Sequence, residues 1–282
     1  KREKINRSQE FRIKFNNITL GTYLSSIKEI DSREGWLFSG LASNIKSNYY
    51  IKNNALYLKM NFKINKNNIL TASIRNDCYK IEQQLSYSSL NYYTYSYDNF
   101  NLPDENISDL NLFGGNINFF HLIDEKFTFN MILSSGYKTS GINQSPNFSN
   151  NRIYKTEFNY NYEMGFTYND DFSTFTFTSF YMDRKKPQLR LFVQFSPDPN
   201  SFDYATFNGT GGYNYGFEYE ISINQNNNTT LYHNLSYLKT HINTFEFNNI
   251  LYGNRETAHS PQLKFLFGAN HNLSYLVKGL SF

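Results

Sequence analysis

The sequence predicts an all-β protein: an antiparallel up-and-down meander of about a dozen long strands that forms part of a large transmembrane β-barrel. Three observations lead to this prediction. Apolar and polar residues alternate with a period of two, several alternating runs have 12 or more residues, and short polar connectors alternate with long ones. Strands in soluble sheets usually have about 5–6 residues, whereas a strand tilted across a bilayer needs about 9–11.

Each alternating run places apolar side chains on one face and polar side chains on the other. The clearest runs are ALYLKMNFKI (55–64), KFTFNMILSS (126–135), EFNYNYEMGFTY (157–168) and YNYGFEYEISI (213–223). Helical spacing fits none of them, so they predict half-apolar strands. In a wide barrel the apolar face meets lipid and the polar face lines a wet lumen. We therefore expect Phe158, Tyr160, Tyr162, Phe217, Tyr219 and Ile221 to point outward, and Asn159, Asn161, Glu163, Glu218 and Glu220 to point inward.

The connectors predict two rims of different character. Short polar turns are predicted at 65–68, 123–126, 168–171, 224–228 and 270–272. Longer polar connectors are predicted at 31–52, 77–107, 136–152, 196–204 and 243–258. Outer-membrane barrels have this asymmetry, with short periplasmic turns and long extracellular loops. A soluble β-sandwich or β-solenoid is the alternative, but the strand length and the uncharged polar face of amides and hydroxyls favour the membrane barrel.

Composition and motifs argue against several other classes of protein. The net charge of +3 is too small and dispersed for nucleic-acid binding, and Cys78 is the one cysteine, which excludes a disulfide framework. The histidines lack metal-ligand spacing, and no Gly-x-Ser-x-Gly element suggests a hydrolase. The run NDD (169–171) is more simply a turn than a calcium site. We therefore predict neither an enzyme nor a cofactor.

The long connector predicted at 136–152 begins directly after a predicted strand. In SSGYKTSGINQSP (134–146), Gly136 and Gly141 are expected to supply backbone freedom, and Pro146 to end strand pairing. Loops on a rigid scaffold commonly contact ligands. The candidate ligand-binding residues in this loop are Tyr137, Lys138, Asn143 and Gln144. A role in filling the surface is an equal alternative.

From this loop onward the chain resembles the barrel of TonB-dependent outer-membrane receptors. The elements that carry the resemblance are SGYKTSGINQSP (135–146), the Tyr162-Glu163-Met164-Gly165 step, FTFTSFYMDRKKPQLRLFVQ (175–194), Asn208 with Gly216-Phe217-Glu218, and GNRETAHSPQLKFLFGANHNLS (253–274). SQEFRIKF (8–15) is similar to an earlier barrel strand of the same family. Each motif is weak alone, and their order and spacing make the resemblance specific.

The resemblance implies a function and a domain organisation. Residues 1–282 would be a partial barrel domain without a signal peptide or plug, integral to the bacterial outer membrane. The implied activity is uptake of a large, scarce ligand such as a ferric siderophore, with cobalamin or oligosaccharides as further classes. The implied partners are outer-membrane lipid and a TonB complex, which acts through the N-terminal part. The alternatives are a passive porin-like or structural outer-membrane barrel, and a soluble carbohydrate-binding β protein.

If the chain forms a barrel wall, the glutamates that point inward require an explanation. Glu163, Glu218 and Glu220 are expected to be lumenal and structural, and Arg190 is a candidate ion-pair partner for them. By resemblance they would alternatively pack against a plug.

Overall fold

One large antiparallel sheet dominates the protein. The computed structural model describes residues 1–37, 40–91, 93–101, 104–143, 145, 148, 151–194, 202–226, 228–247 and 250–273. The strands are β1 (Arg2–Phe15), β2 (Ile18–Leu37), β3 (Gly40–Lys63), β4 (Asn68–Asn91), β5 (Ser96–Asn101), β6 (Glu105–Leu122), β7 (Phe127–Lys138), β8 (Gly141–Ile142), β9 (Ile153–Tyr154), β10 (Glu157–Asn169), β11 (Ser173–Lys185), β12 (Gln188–Gln194), β13 (Phe202–Asn208), β14 (Gly211–Asn226), β15 (Thr229–Ile242), β16 (Phe245–Phe247), β17 (Ile250–Tyr252) and β18 (Leu263–His271). In the described part of the chain, no helix is long and apolar enough to cross a bilayer.

The strands form an up-and-down meander, as predicted. Their order in the sheet is β1-β2-β3-β4-β6-β7-β10-β11-β14-β15-β18, and β5 pairs beside β4. The remaining strands form three separate two-stranded sheets, β8–β9, β12–β13 and β16–β17. Each of these lies within a long connector on the same rim. The tight turns lie on the other rim.

Two of the predicted long connectors are wrong, because most of their residues are strand. β2 continues to Leu37 and pairs with β3 from Gly40 onward, so 31–52 is largely a ribbon. Likewise β4 reaches Asn91, and 77–107 contains β5 as well. These segments are rich in polar residues, and their apolar residues, such as Ile81 and Leu85, are too scattered to form the continuous alternation that predicts a strand. Backbone hydrogen bonds still pair these segments as strands, because the hydrogen-bond ladder between strands does not depend on apolar side chains.

The turn boundaries also differ from the sequence analysis. The tight turn at Asn16 and Asn17, which lies between Phe15 and Ile18, is missing from the predicted turns; Asn16 has φ 49°. At the other end, β18 runs to His271 through most of the turn predicted at 270–272.

The register places apolar side chains of neighbouring strands side by side on one face. Leu20 pairs with Leu58, and Phe166 lies between Phe129 and Phe177. This face is left uncovered: Leu20 is 48% exposed and Phe166 42%. Among the described residues, no second sheet packs against it, as a soluble sandwich would require. The surface therefore suits lipid.

We call this surface the apolar band. It includes Phe11, Ile13, Phe15, Leu20, Leu56, Leu58, Phe62, Leu70, Ile74, Ile117, Phe129, Met131, Tyr162, Phe166, Phe177, Phe217 and Tyr219.

The opposite face, which we call the inner face, is covered near the long-connector rim. Along β4 the side chains of Asp77, Ile81 and Gln83 are 1%, 0% and 1% exposed. Cys78 and Lys80 lie between them and are exposed. Because successive strand residues point to opposite sides, one face of β4 is covered by protein and the other is open.

Side-chain acceptors close the tight turns. Asp124 Oδ1 accepts the N–H groups of the second and third residues after it at 2.8 Å each, and Asn65 does so at 2.9 Å. Asp170 Oδ1 does so at 3.0 and 2.7 Å, and Asn226 accepts one such bond at 2.9 Å. This Asx arrangement mimics a backbone turn. Asp170 therefore serves the turn as a hydrogen-bond acceptor, and its own φ is not positive.

The register predicts opposite outcomes for adjacent substitutions in β14. Phe217 pairs with Ser179 and Tyr237 on the face of the apolar band, whereas Glu218 pairs with Thr178 on the inner face. A lysine facing lipid costs about 2–4 kcal/mol at the midplane. Phe217→Lys in a full-length barrel should therefore strongly reduce the heat-modifiable folded form on gels. Glu218→Lys should fold normally, and the reverse result would show that the faces are wrongly assigned.

The turn at Asp170 predicts a dependence of stability on pH. Its carboxylate accepts hydrogen bonds from the Tyr168 hydroxyl at 2.6 Å and from the two turn N–H groups, which lower the pKa of Asp170 to about 2. Because the pKa is lower in the folded state, this contribution is present above the ordinary pKa of 3.8 and is lost as the pH falls towards 2. Asp170→Asn should flatten the change in urea midpoint between pH 5 and pH 2. An identical pH profile for the parent and the variant would contradict this role.

Candidate functional site

The long connectors pack together into a structure with its own apolar core. We call the described residues within 139–156, 186–210 and 243–262 the loop cap. Its core includes Phe148, Val193, Ala205 and Phe207, all 2–8% exposed. The Phe207 ring lies 3.9 Å from that of Phe247 and 6.0 Å from that of Phe148, between centroids. All three connectors contribute, so the cap orders them as one unit.

Two asparagine side chains join the connectors, and each bonds the backbone N–H and carbonyl of one residue as a paired strand would. Asn143 is buried; its Oδ1 accepts from Thr206 N at 2.7 Å, and its Nδ2 donates to the Thr206 carbonyl at 2.9 Å. Asn208 bonds Lys155 in the same manner, with Oδ1 accepting from N at 2.6 Å and Nδ2 donating to O at 2.8 Å. An amide matches a peptide group in donors and acceptors, which makes these contacts specific.

A buried charged group fixes the base of the cap to the sheet. Glu157, which is 4% exposed, accepts from Arg184 Nε at 2.9 Å and Nη2 at 2.7 Å. Its other oxygen accepts from Gln188 N at 2.7 Å. The Gln188 amide in turn donates to the Thr139 carbonyl at 2.8 Å and the Lys155 carbonyl at 3.1 Å. We call this group of hydrogen bonds around Glu157 the latch. It joins β10, β11 and two connectors of the cap.

Arg152 anchors the cap on the inner face. It is 3% exposed, and its Nη2 donates to Gln83 Oε1 at 2.9 Å while Nη1 lies 3.6 Å from Glu105 Oε1. Burial lowers the pKa of Arg152, and the nearby carboxylates act in the opposite direction. A buried guanidinium is tolerated only with such partners. The contact accounts for the covering of Gln83 on the inner face.

The structure separates the ligand-binding candidates predicted from the sequence. The Tyr137 hydroxyl donates to Asp77, and Lys138 is exposed at the end of β7. Asn143 is buried and bonds the backbone of Thr206. Gln144 lies outside the described residues, as does Pro146. Of the three described candidates, Lys138 alone presents an exposed side chain. A ligand contact for any of them stays a prediction.

The role expected for the glycines of this loop is wrong. Gly136 and Gly141 both lie in strands, and neither has a positive φ. A Cβ on Gly141 would lie 2.1 Å from the Tyr154 hydroxyl. The residue is needed for close packing against the Tyr154 ring.

The sequence analysis missed an exposed aromatic surface on the β12–β13 hairpin. The Phe192 ring stacks on Phe202 at 4.7 Å and 13° and lies 4.7 Å from Tyr204, and the Arg190 guanidinium lies 4.8 Å from the Tyr204 ring centroid. Phe192 and Tyr204 are 55% and 53% exposed. We call Arg190, Phe192, Phe202 and Tyr204 the hairpin platform. Alternation in QLRLFVQ and FDYATFN, with Leu191, Val193, Ala205 and Phe207 facing the core, is the signal that could have identified it.

Arg190 is not the partner of the inner-face glutamates. It lies in the loop cap over Tyr204, whereas Glu163 accepts from Asn161 Nδ2. Within the described residues, Glu218 and Glu220 have no lysine or arginine nitrogen within 4.0 Å. No three His, Cys, Asp or Glu side chains of the described chain are placed to hold a metal ion together.

Similarity to known proteins extends over nearly the whole chain. A sequence profile described as "TonB dependent receptor-like, beta-barrel" matches residues 5–281. No curated protein matches the sequence. Among solved structures, the ferric yersiniabactin uptake receptor FyuA from Yersinia pestis is similar with a TM-score of 0.74 and 15% identity, over 96% of this chain and 40% of that one.

Two further structures share this arrangement. The copper transporter OprC is similar with a TM-score of 0.65 and 13% identity, over 96% of this chain and 41% of that one. The ferric-catecholate import receptor Fiu from E. coli K12 is similar with a TM-score of 0.63 and 14% identity, over 96% of this chain and 42% of that one. At such identities the likeness shows the fold alone. The chain spans about two-fifths of the length of these proteins.

The latch at Glu157 predicts a large stability effect. Removing one partner of a buried ion pair typically costs about 3–5 kcal/mol, because it leaves a buried charge uncompensated. Glu157→Ala in a full-length barrel should therefore lower the free energy of unfolding, measured by urea titration in micelles, by about that amount.

A neighbouring pair gives the matched control. Asp183 and Lys185 flank Arg184 in β11 and lie 2.8 Å apart, with side chains 31% and 57% exposed. Such exposed pairs contribute about 0–1 kcal/mol. Asp183→Ala should therefore have little effect, and equal losses in the two variants would contradict the latch.

Proposed function

Because the chain belongs to the family of TonB-dependent receptor-like β-barrels, we propose that it is the barrel portion of a receptor that imports a large, scarce ligand. A barrel of this family is an integral outer-membrane protein and not an enzyme. We propose a ferric siderophore as the ligand class, with a TonB complex supplying energy through a plug carried by the N-terminal part of the full-length protein.

The loop cap is the observation that carries this proposal. A passive channel needs an open mouth, whereas this rim carries three connectors locked into one body by an apolar core, two asparagine clasps and the latch at Glu157. Ordered loops on a rigid scaffold bind with little entropic cost. The cap is therefore suited to recognise a ligand.

The hairpin platform supports an aromatic or anionic chelate as the ligand. A guanidinium over an aromatic ring offers positive charge beside flat apolar surface. Ferric chelates with aromatic, negatively charged ligand groups match both features. Two of the three similar structures are named for ferric yersiniabactin and ferric catecholates, which supports this class, while the third is named a copper transporter.

Energised uptake separates this function from the passive alternative. Cells that carry the full-length protein as their sole receptor should accumulate radiolabelled iron from a ferric siderophore, and the uptake should stop when TonB is deleted. Uptake that persists without TonB, with diffusion of unrelated small solutes, would instead indicate a porin.

Substitutions in the platform should weaken ligand binding. Phe192→Ala with Tyr204→Ala should reduce the affinity of the full-length receptor for its ferric chelate about tenfold, equivalent to about 1.4 kcal/mol of lost contact. Tyr93→Ala with Tyr95→Ala is the control, since these side chains are 98% and 82% exposed on the same rim but outside the cap. Titration by quenching of intrinsic fluorescence gives both affinities. Equal affinities for parent and platform variant would rule the platform out as the site.

A further inference from the structure

A groove with a volume of about 390 Å³ interrupts the outward face of the wall across β4, β6, β7 and β10. Gly115 and Ser135 pair with each other at its floor, and their small size leaves the depression. A Cβ on Gly115 would lie 2.4 Å from the Ser73 carbonyl oxygen, so the sheet itself confines this position to glycine. Larger side chains border the groove: Ile74, Phe113, Ile117, Leu133, Tyr160 and Tyr162.

An amide lies beside the groove at the depth of the acyl chains. Asn76 pairs with Leu56 and Phe113 and points outward with them. It lies eight residues from the tight-turn end of β4 at Asn68. Eight residues span roughly 27 Å along a strand, or roughly 20 Å along the membrane normal at a tilt of about 40°. The apolar band of such barrels is about 25 Å tall, so Asn76 lies within it.

Lipid leaves this amide poorly satisfied. Asn76 Nδ2 donates to the Leu112 carbonyl at 3.4 Å, which is beyond the usual range for an N–H donor. Its Oδ1 accepts from the Cys78 thiol, a weak donor, at 3.6 Å. Acyl chains offer neither donors nor acceptors, whereas asparagine in a membrane commonly bonds across a contact with another protein segment. The amide therefore favours protein over lipid as the covering of this surface.

Further strands of a full-length barrel cannot supply that covering. β4, β6, β7 and β10 each have a neighbouring strand on both sides, so strands can be added only beyond β1 and β18. A plug would contact the inner face. On the outward side, Ile74 and Phe113 are 55% and 61% exposed. The covering must therefore come from a separate molecule.

The exposed area matches what one partner buries in a stable pair of proteins. Large outward side chains in and around the groove are each 40–61% exposed: Leu56, Ile74, Phe113, Ile117, Leu133, Tyr160 and Tyr162. At roughly 200 Å² for a fully exposed large side chain, they present on the order of 700 Å² together. Each partner in a specific complex buries about 800 Å². With Asn76 and the floor of the groove included, the surface is large enough for one partner.

The surface is also complementary to itself. A twofold axis along the membrane normal between β6 and β7 sets β6 of one copy against β7 of the other, and β4 against β10, at equal heights. Phe113 lies nine residues from the tight-turn end of β6 and Ser135 eight from that of β7, so each ring enters the other copy's groove. Asn76 meets Tyr160 and Tyr162, which lie nine and seven residues from that end of β10. Their hydroxyls supply polar partners for the amide.

We propose that this outward surface joins two copies of the barrel in a twofold homodimer within the membrane. A second copy fits better than another protein, because the surface carries both the projecting Phe113 and the groove that receives it. It likewise carries both the amide and the hydroxyls that meet across the axis. The inference rests on the membrane-barrel family and is independent of the imported ligand.

Cross-linking in intact cells tests the proposal without disturbing the surface. The full-length protein would carry Cys78→Ser, with serine at any other cysteine, and one introduced cysteine. Ser135→Cys lies beside the axis and should give a cross-linked dimer with a short, membrane-permeant bismaleimide. The control is Tyr237→Cys, which points outward on β15 at the same eight residues from the tight-turn end and should give at most a tenth of that dimer.

Filling the groove gives an independent test. Ser135→Phe places a ring where Phe113 of the other copy enters and should weaken dimerisation at least tenfold, measured by counting photobleaching steps of labelled protein in supported bilayers. Ala269→Phe adds the same ring to the outward face of β18, away from the groove, and should change dimerisation less than twofold. Both substitutions turn an aromatic ring toward lipid, so both variants should fold.

The outcomes separate a second copy from the other coverings. Lipid alone would leave the parent monomeric in bilayers, and a different membrane protein would be cross-linked to Ser135→Cys in place of a second copy. Either result, equal cross-linking at the two cysteine positions, or equal effects of the two ring variants would overturn the proposal.

Discussion

Backbone hydrogen bonding across a bilayer is the constraint on which this structure depends. In hydrocarbon every N–H and C=O must find a partner within the protein, so neighbouring strands must pair without interruption from one rim to the other. Eleven strands in sequential antiparallel order meet this requirement between neighbours, and among the described residues the outer edges of β1 and β18 have no partner strand. The pairing also fixes a register, and the register decides which side chains face lipid. One geometric requirement therefore creates both faces of the wall.

The two ends of the wall connect their strands in different ways. On one rim the strands are joined by turns of a few residues, several of which are closed by a side-chain acceptor such as Asp124 or Asp170. On the other rim the strands continue beyond the membrane, because water and neighbouring strands both satisfy the backbone there. The long connectors then bury an apolar core of their own around Phe207 and bind the inner face through Arg152. The rigid wall thus holds an ordered cap over its interior.

The hairpin platform joins an apolar surface to a positive charge. Phe192 and Phe202 stack beside Tyr204, and the Arg190 guanidinium lies over the Tyr204 ring within the loop cap. In such an arrangement an apolar contact supplies area while positive charge selects an anionic group. The apolar core beneath the hairpin, around Val193 and Phe207, keeps these side chains on one exposed face.

The sequence by itself determined the fold class, the strand faces and the asymmetry of the rims, because a period of two in runs such as 157–168 directly reports a half-apolar strand. It did not predict the strands in 31–52 and 77–107, where apolar residues such as Ile81 and Leu85 are scattered among polar ones and no continuous alternation marks the pairing. The loop cap was decided by tertiary structure alone. Asn143, Glu157 and Arg152 contact partners 27 to 69 residues away, and Arg190 meets Tyr204 only after a hairpin forms. Long-range contacts of this kind depend on how connectors fold over one another, which local alternation does not encode.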